Sequence, residues 1–206
     1  MMIRIGCFLL MLSCMVVPWA KAQPEQPEHL AEASLTAVEI HIKSNLATHY
    51  SFVQTRTLSL LSRPVISEGE LEFDAGSGMC WVTLKPFYSK LHVSQNGIFE
   101  LNKDGSKQRL MPSGHDVFEV FSQVYKAIFA GEFDDLDNSF NVLPRIEGDA
   151  WQLTLQPYGV AEMAWLKEIE LSGDGKHSRL LLIEQAGDST ELFFKPLSQA
   201  GEDLCW

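Results

Sequence analysis

The sequence predicts a mainly β protein with two helices, in which an antiparallel sheet curls around something and the helices lie on one face. Three observations carry that prediction. About ten short segments alternate apolar and polar residues or are rich in β-branched and aromatic ones. Gly, Pro, Asn and Asp clusters punctuate them. Only two stretches show the three- and four-residue spacing of an amphipathic helix.

Gln23 to Glu28 is a Pro-rich acidic spacer, and residues 29–206 form a single domain. From His29 to about Thr48 the pattern is helical: Leu35, Val38, Ile42 and Leu46 recur on one stripe, with Glu32, Glu39 and Lys43 elsewhere. Strands are expected at Phe52–Leu61, Glu68–Phe73, Met79–Leu84 and Phe87–Val93. Asn96-Gly97 signals a type I′ hairpin turn, which wants positive φ at both central positions. Ile98–Leu101 and, after Asp104-Gly105, Gln108–Met111 continue the sheet. Pro112 and Gly114 end it, and His115–Ala130 reads as a second helix that Gly131 terminates. Strands resume at Phe140–Leu143, Trp151–Gln156, Trp165–Leu171, Arg179–Gln185 and Thr190–Phe194.

Met1 to Ala22 has the layout of a secretory signal peptide: Arg4, an apolar run from Ile5 to Val17, then Ala20-Lys21-Ala22 before Gln23. Leu12-Ser13-Cys14 loosely resembles a lipidation box, but Leu12 is bulky and the apolar run continues past Cys14. Cleavage after Ala22 leaves 184 residues. It removes two of the 16 cations, so 14 stand against 27 carboxylates, a formal −13 rather than −11. Such a field repels polyanions, which excludes nucleic acid as a natural partner. A composition 46% hydrophobic and 21% charged excludes disorder for most of the chain. Of four cysteines, Cys80 and Cys205 remain. An exported chain allows them one disulfide, or two separate thiols, since sequence alone does not place the two Cα atoms.

Chemistry-bearing motifs are scarce. There is no Gly-x-Ser-x-Gly elbow, and the six histidines show no metal-binding spacing. His41 and His49 lie about 80° apart around a helix and do not share a ligand face. Glu132–Asp137 is acidic but lacks the glycine and glutamate of a calcium loop, so it reads as solvated. The expectation is a protein that is not an enzyme and carries no cofactor. What the chain holds in excess is apolar bulk on strands and both helices, enough to line a concave face.

Phe52-x-Gln54, then Gly69-x-Leu71-x-Phe73, then Met79-Cys80-Trp81 with Pro86 follow one another in an order and spacing that resembles the LolA-type outer-membrane lipoprotein carriers. The likeness covers roughly Leu30 to Leu197. It implies an unclosed antiparallel β-barrel around a hydrophobic cavity, with helices as a lid. It also implies a periplasmic monomer that takes the acyl chains of a lipoprotein or lipid-like cargo from an inner-membrane donor transporter to an outer-membrane acceptor. The expected cavity and lid residues are Phe52, Leu71, Phe73, Met79, Trp81, Phe118, Phe121 and Trp151, with Met79 and Trp81 on one strand parity. The sequence departs from that family at Asp74-Ala75-Gly76-Ser77-Gly78, where the carriers have a basic residue and Pro tied to lid closure. Two other readings stand beside this one. One is a lipidated acceptor-type protein held through Cys14. The other is an exported hydrolase of lipid-like substrates using Ser77 with His92 or His115.

Overall fold

The computed structural model describes residues 31–114, 116–159, 161–198 and 204–205. The expected leader, spacer and His115 lie outside them. Among the described residues there are twelve strands, all paired antiparallel in one sheet. The first half of the chain supplies β1 (Ala31–Glu32), β2 (His49–Thr57), β3 (Val65–Asp74), β4 (Gly78–Lys85), β5 (Ser89–Ser94), β6 (Gly97–Leu101) and β7 (Lys107–Pro112). The second supplies β8 (Phe140–Glu147), β9 (Ala150–Pro157), β10 (Leu166–Gly173), β11 (Ser178–Glu184) and β12 (Ser189–Pro196). Helices α1 (Leu35–Lys43) and α2 (Asp116–Phe129) complete the fold.

The strand order is β1-β8-β9-β10-β11-β12-β2-β3-β4-β5-β6-β7. Two meanders, β2–β7 and β8–β12, are therefore sewn together where β12 pairs with β2 along Ser189↔Thr57 to Pro196↔Tyr50. The chain passes from the β7 edge to the far end of the sheet through α2. Strands twist with a fixed hand, so a sheet this wide curls. Residues of β4–β6 and of β10–β12 meet across one space under α2, and the edges β7 and β1 do not pair. The architecture is an unclosed antiparallel barrel with its helices over the concave side.

Each strand segment read from the sequence is present, and β1 is an addition. Two residues carry no periodicity, but Ala31 and Glu32 pair with Ile146 and Arg145. The first helix is shorter than the stripe from His29 to Thr48. The Ser34 side chain caps it by accepting from the Ala37 N–H. The side chains of Ser44 and Asn45 take the His41 carbonyl and end it. Val38 and Ile42 are buried, whereas Leu46 lies beyond the helix and is exposed. β2 stops at Thr57, and Leu58–Leu61 form a turn. β5 begins at Ser89, leaving Phe87 82% exposed after the cis Lys85–Pro86 bond.

The β5–β6 turn also differs from the type I′ expectation. Its central residues are Gln95 and Asn96, and Ser94 pairs with Gly97. Positive φ appears at Gly97 alone (123°), one position later. A Cβ there would sit 2.2 Å from the Met111 carbonyl oxygen, so both conformation and space demand glycine. β8 runs on to Glu147 through Pro144, whose carbonyl accepts from the Ala33 N–H near the sheet edge.

Candidate functional site

Strand period and register build the site. Phe52 faces Gly69, Leu71 faces Trp81, and Phe73 faces Met79 across successive pairs, so these side chains share the concave face. On β12, Phe194 lies opposite Phe52 and Leu192 opposite Gln54, which carries the same face into the second meander. α2 lays Val124, Tyr125, Ile128 and Phe129 against it, each buried. Phe129 is the hub of an aromatic floor. Its ring centroid lies 5.1 Å from Tyr50, 5.1 Å from Phe194 and 6.0 Å from Phe73.

Between that floor, α2 and the sheet lies a cavity of about 610 Å³, a size typical of sites for small organic ligands. β4 contributes Met79 and Trp81, α2 contributes Phe121, and β10–β12 contribute Ile169, Leu182 and Leu192. Phe121 (38% exposed) and Trp165 (42%) show that the cavity reaches solvent. A second space of about 540 Å³ lies beyond a wall formed by Met79, Val93 and Tyr125. Its lining includes the Asp74–Gly78 turn, the residues around Asn96, and Phe118, Glu119 and Lys126 of α2.

The eight expected lining residues divide by depth. Met79, Trp81 and Phe121 line the larger cavity, while Phe73 and Phe118 line the second together with Met79. Phe52 and Leu71 are wall rather than lining. Phe52 stacks on Trp81 at 4.1 Å, and Leu71 is fully buried in the core. Trp151 belongs to the far end of the core, where its indole covers Gly173. Sequence reasoning missed the wall from β10–β12 and the polar lining Gln54, Arg56, Glu184 and Thr190. The run Leu180-Leu181-Leu182-Ile183 is apolar on both parities, so only its register on β12 shows which residues face in.

Ionisable groups around the cavity are shaped by their surroundings. Burial pushes the Tyr125 phenol well above its ordinary value and raises that of Tyr50, whose oxygen accepts from the Ala47 N–H at 2.9 Å. In the β3–β4 turn, the Ser77 N–H (2.7 Å) and the Ser77 hydroxyl hold Asp74 below the usual carboxylate value. His92 Nε2 lies 3.0 Å from the Ser77 carbonyl oxygen, and His115, the other histidine named in the hydrolase expectation, lies outside the described residues. Among the described residues no three His, Cys, Asp or Glu side chains gather as metal ligands. The acidic stretch after α2 leaves Glu132, Asp134, Asp135 and Asp137 exposed while Phe133 and Leu136 anchor it in the core. No described helix is long and apolar enough to cross a membrane.

On the convex side, Cys80 and Cys205 form a disulfide with Cα atoms 5.7 Å apart. The neighbouring Leu204 N–H donates to Glu72 Oε2 at 2.9 Å, and Glu72 Oε1 lies 3.3 Å from His49 Nε2, so the chain end is strapped across β3 and β4.

No family model matches the chain, and no curated protein matches it. Among solved structures, it is similar to a LolA superfamily protein from Nitrosomonas europaea, with a TM-score of 0.42 and 6% identity, over 82% of this chain and 96% of that one. Nothing about this chain's chemistry follows from a likeness that distant.

Proposed function

We propose that this protein is a periplasmic carrier that shields acyl chains, of a lipoprotein or of a lipid-like molecule, while they move from an inner-membrane donor to an outer-membrane acceptor. The observation that carries the reading is the apolar cavity of about 610 Å³ between the concave sheet and α2, reached from solvent past Phe121 and Trp165. The order of the Phe-x-Gln, Gly-x-Leu-x-Phe and Met-Cys-Trp motifs supports it, as does the secretory leader pattern. The Cys80–Cys205 bridge suits an oxidising compartment.

Burying roughly ten methylenes gains about 8 kcal/mol, which falls within the roughly 4–15 kcal/mol cost of association. An acyl chain alone is therefore held modestly at most, as a carrier that must release its cargo requires. Transfer needs no covalent step, and a monomer suffices. Native mass spectrometry of the chain purified from its own host should find an acylated molecule bound. A protein that is always empty and excludes hydrophobic dyes would overturn the reading. Amino-terminal sequencing that starts at Gln23 would remove the lipidated-acceptor alternative.

A further inference from the structure

The concave face is apolar at one end and polar at the other. Along β2 the inward set runs Phe52, Gln54, Arg56. Along β12 it runs Phe194, Leu192, Thr190, and along β11 it runs Leu180, Leu182, Glu184. Register aligns these gradients: Arg56 pairs with Thr190, Thr190 pairs with Leu182, and Glu184 is the next inward residue. β4 repeats the trend, with Met79 and Trp81 followed by Thr83. Polar residues on separate strands thus collect at one end of the cavity, opposite the aromatic floor.

Those polar groups are not spent on one another. Gln54, Arg56, Thr190 and Glu184 make no side-chain hydrogen bond or ion pair among the described residues. Arg179, on the other parity of β11, shows the contrast: Glu191 and Glu170 hold it at 2.5 and 3.6 Å. Asp188, just before β12, lies within the electrostatic reach of Arg56 but forms no ion pair with it, and its carboxylate accepts from the Ser59 N–H at 2.7 Å. Arg56 and Glu184 stand two strand spacings apart across β12, roughly 10 Å laterally, within joint reach of two long side chains. A cation and an anion at the mouth of an apolar cavity, neither held in a close ion pair, match a head that carries both charges.

Resting on the carrier reading, we propose that the preferred cargo is a zwitterionic amphiphile. Its acyl tail lies against the Phe129 floor, its head anion on Arg56 and its head cation on Glu184, with Gln54 and Thr190 hydrogen-bonding between them. A neutral acylglycerol leaves both protein charges unmatched, and a purely anionic head meets Glu184.

The test uses the mature chain with its disulfide intact. Affinities are measured for lysophosphatidylethanolamine, lysophosphatidylglycerol and a monoacylglycerol of the same acyl length, together with a synthetic diacyl lipopeptide. The phosphoethanolamine lipid should bind about tenfold more tightly than either of the other single-chain lipids. Arg56→Gln should weaken both phospholipids and leave the monoacylglycerol unchanged, and Glu184→Gln should narrow the gap between the two phospholipids. Each variant is first checked for wild-type thermal unfolding, since neither side chain supports the core. Equal affinities for the three single-chain lipids, a variant ranking identical to wild type, or tighter binding of the lipopeptide would overturn the headgroup assignment and leave the carrier reading standing. Failure of every acylated probe to bind would overturn both.

Discussion

Gly69 couples the Phe-x-Gln and Gly-x-Leu-x-Phe motifs physically, and its replacement tests that coupling. Phe52 and Gly69 are register partners on β2 and β3. A Cβ on Gly69 would lie 2.6 Å from Phe52 Cζ and 2.0 Å from the Val82 carbonyl oxygen, both far inside contact distance. The bare backbone leaves room for the Phe52 ring, which packs on Trp81 at 4.1 Å between centroids with the rings tilted by 34°. In Gly69→Ala, overpacking should cost roughly 1–3 kcal/mol, offset by about 0.4–1 kcal/mol from the stiffer unfolded chain. A net loss of about 1–2 kcal/mol lowers the melting temperature by roughly 2–8 °C in a domain of this size. Thermal unfolding followed by circular dichroism and tryptophan emission reads both the stability and the displaced Trp81. In a Phe52→Leu background the same change should cost at least about 0.5 kcal/mol less, because one of the two clashes is gone. An unchanged or raised melting temperature, or an equal loss in both backgrounds, would refute the coupling of the two motifs.

Three further outcomes are expected. Reduction, or the pair Cys80→Ala with Cys205→Ala, should destabilise the fold by several kcal/mol, up to the roughly 4–5 kcal/mol of chain-entropy reasoning for a loop of order 100 residues; the bridge spans 125 positions, and denaturant titration with and without reductant measures the loss. Leu182→Arg places a charge on the apolar wall of the larger cavity and should abolish acyl-probe binding at least tenfold more than it affects stability, read by dye displacement beside thermal unfolding. Asp74 and Asp188 are held below the ordinary carboxylate value of 3.8, each chiefly by a serine N–H, so both bind protons more weakly when folded. Their stabilising contribution is complete above about pH 4 and is lost as pH falls through the lowered folded values; the double change Asp74→Asn and Asp188→Asn should flatten that acid limb in pH-dependent unfolding.

The sheet was legible because one-sided burial imposes two-residue alternation, which Trp151–Leu155 displays plainly; in Glu70–Phe73 the residue types alternate, but Glu72 on the outer face is buried where Leu204 bonds to it. α2 was legible from its broad apolar face and from Gly131, whose φ of 62° stops the helix. The ends of α1 were not, because Leu46 continues the stripe while Ser44 and Asn45 cap it locally. The lining was half legible for a different reason. Parity places Phe52, Leu71, Met79 and Trp81 on one face, but depth along that face depends on what covers it. Trp81 stacks over Phe52 and thereby becomes lining while Phe52 becomes wall. The opposite wall depends on β12 pairing with β2, a contact between distant parts of the chain that no local pattern encodes.

The size of the cavity constrains its state. An apolar void costs about 24 cal/mol per Å³, so 610 Å³ left dry would cost roughly 15 kcal/mol, as much as the whole stability of an ordinary domain. The space must therefore be wetted or filled. Arg56, Glu184, Gln54 and Thr190 give water its partners at the mouth, but the floor around Phe129, Tyr125 and Phe194 offers it almost none. Water there is poorly bonded and readily displaced by an alkyl tail, while displacement at the mouth requires a head that replaces its hydrogen bonds. The two ends of the cavity thus set different terms: the floor rewards any acyl chain, and the mouth decides which one. A ligand that satisfies both also stabilises the fold, by about 2.7 kcal/mol at a hundredfold excess over its dissociation constant.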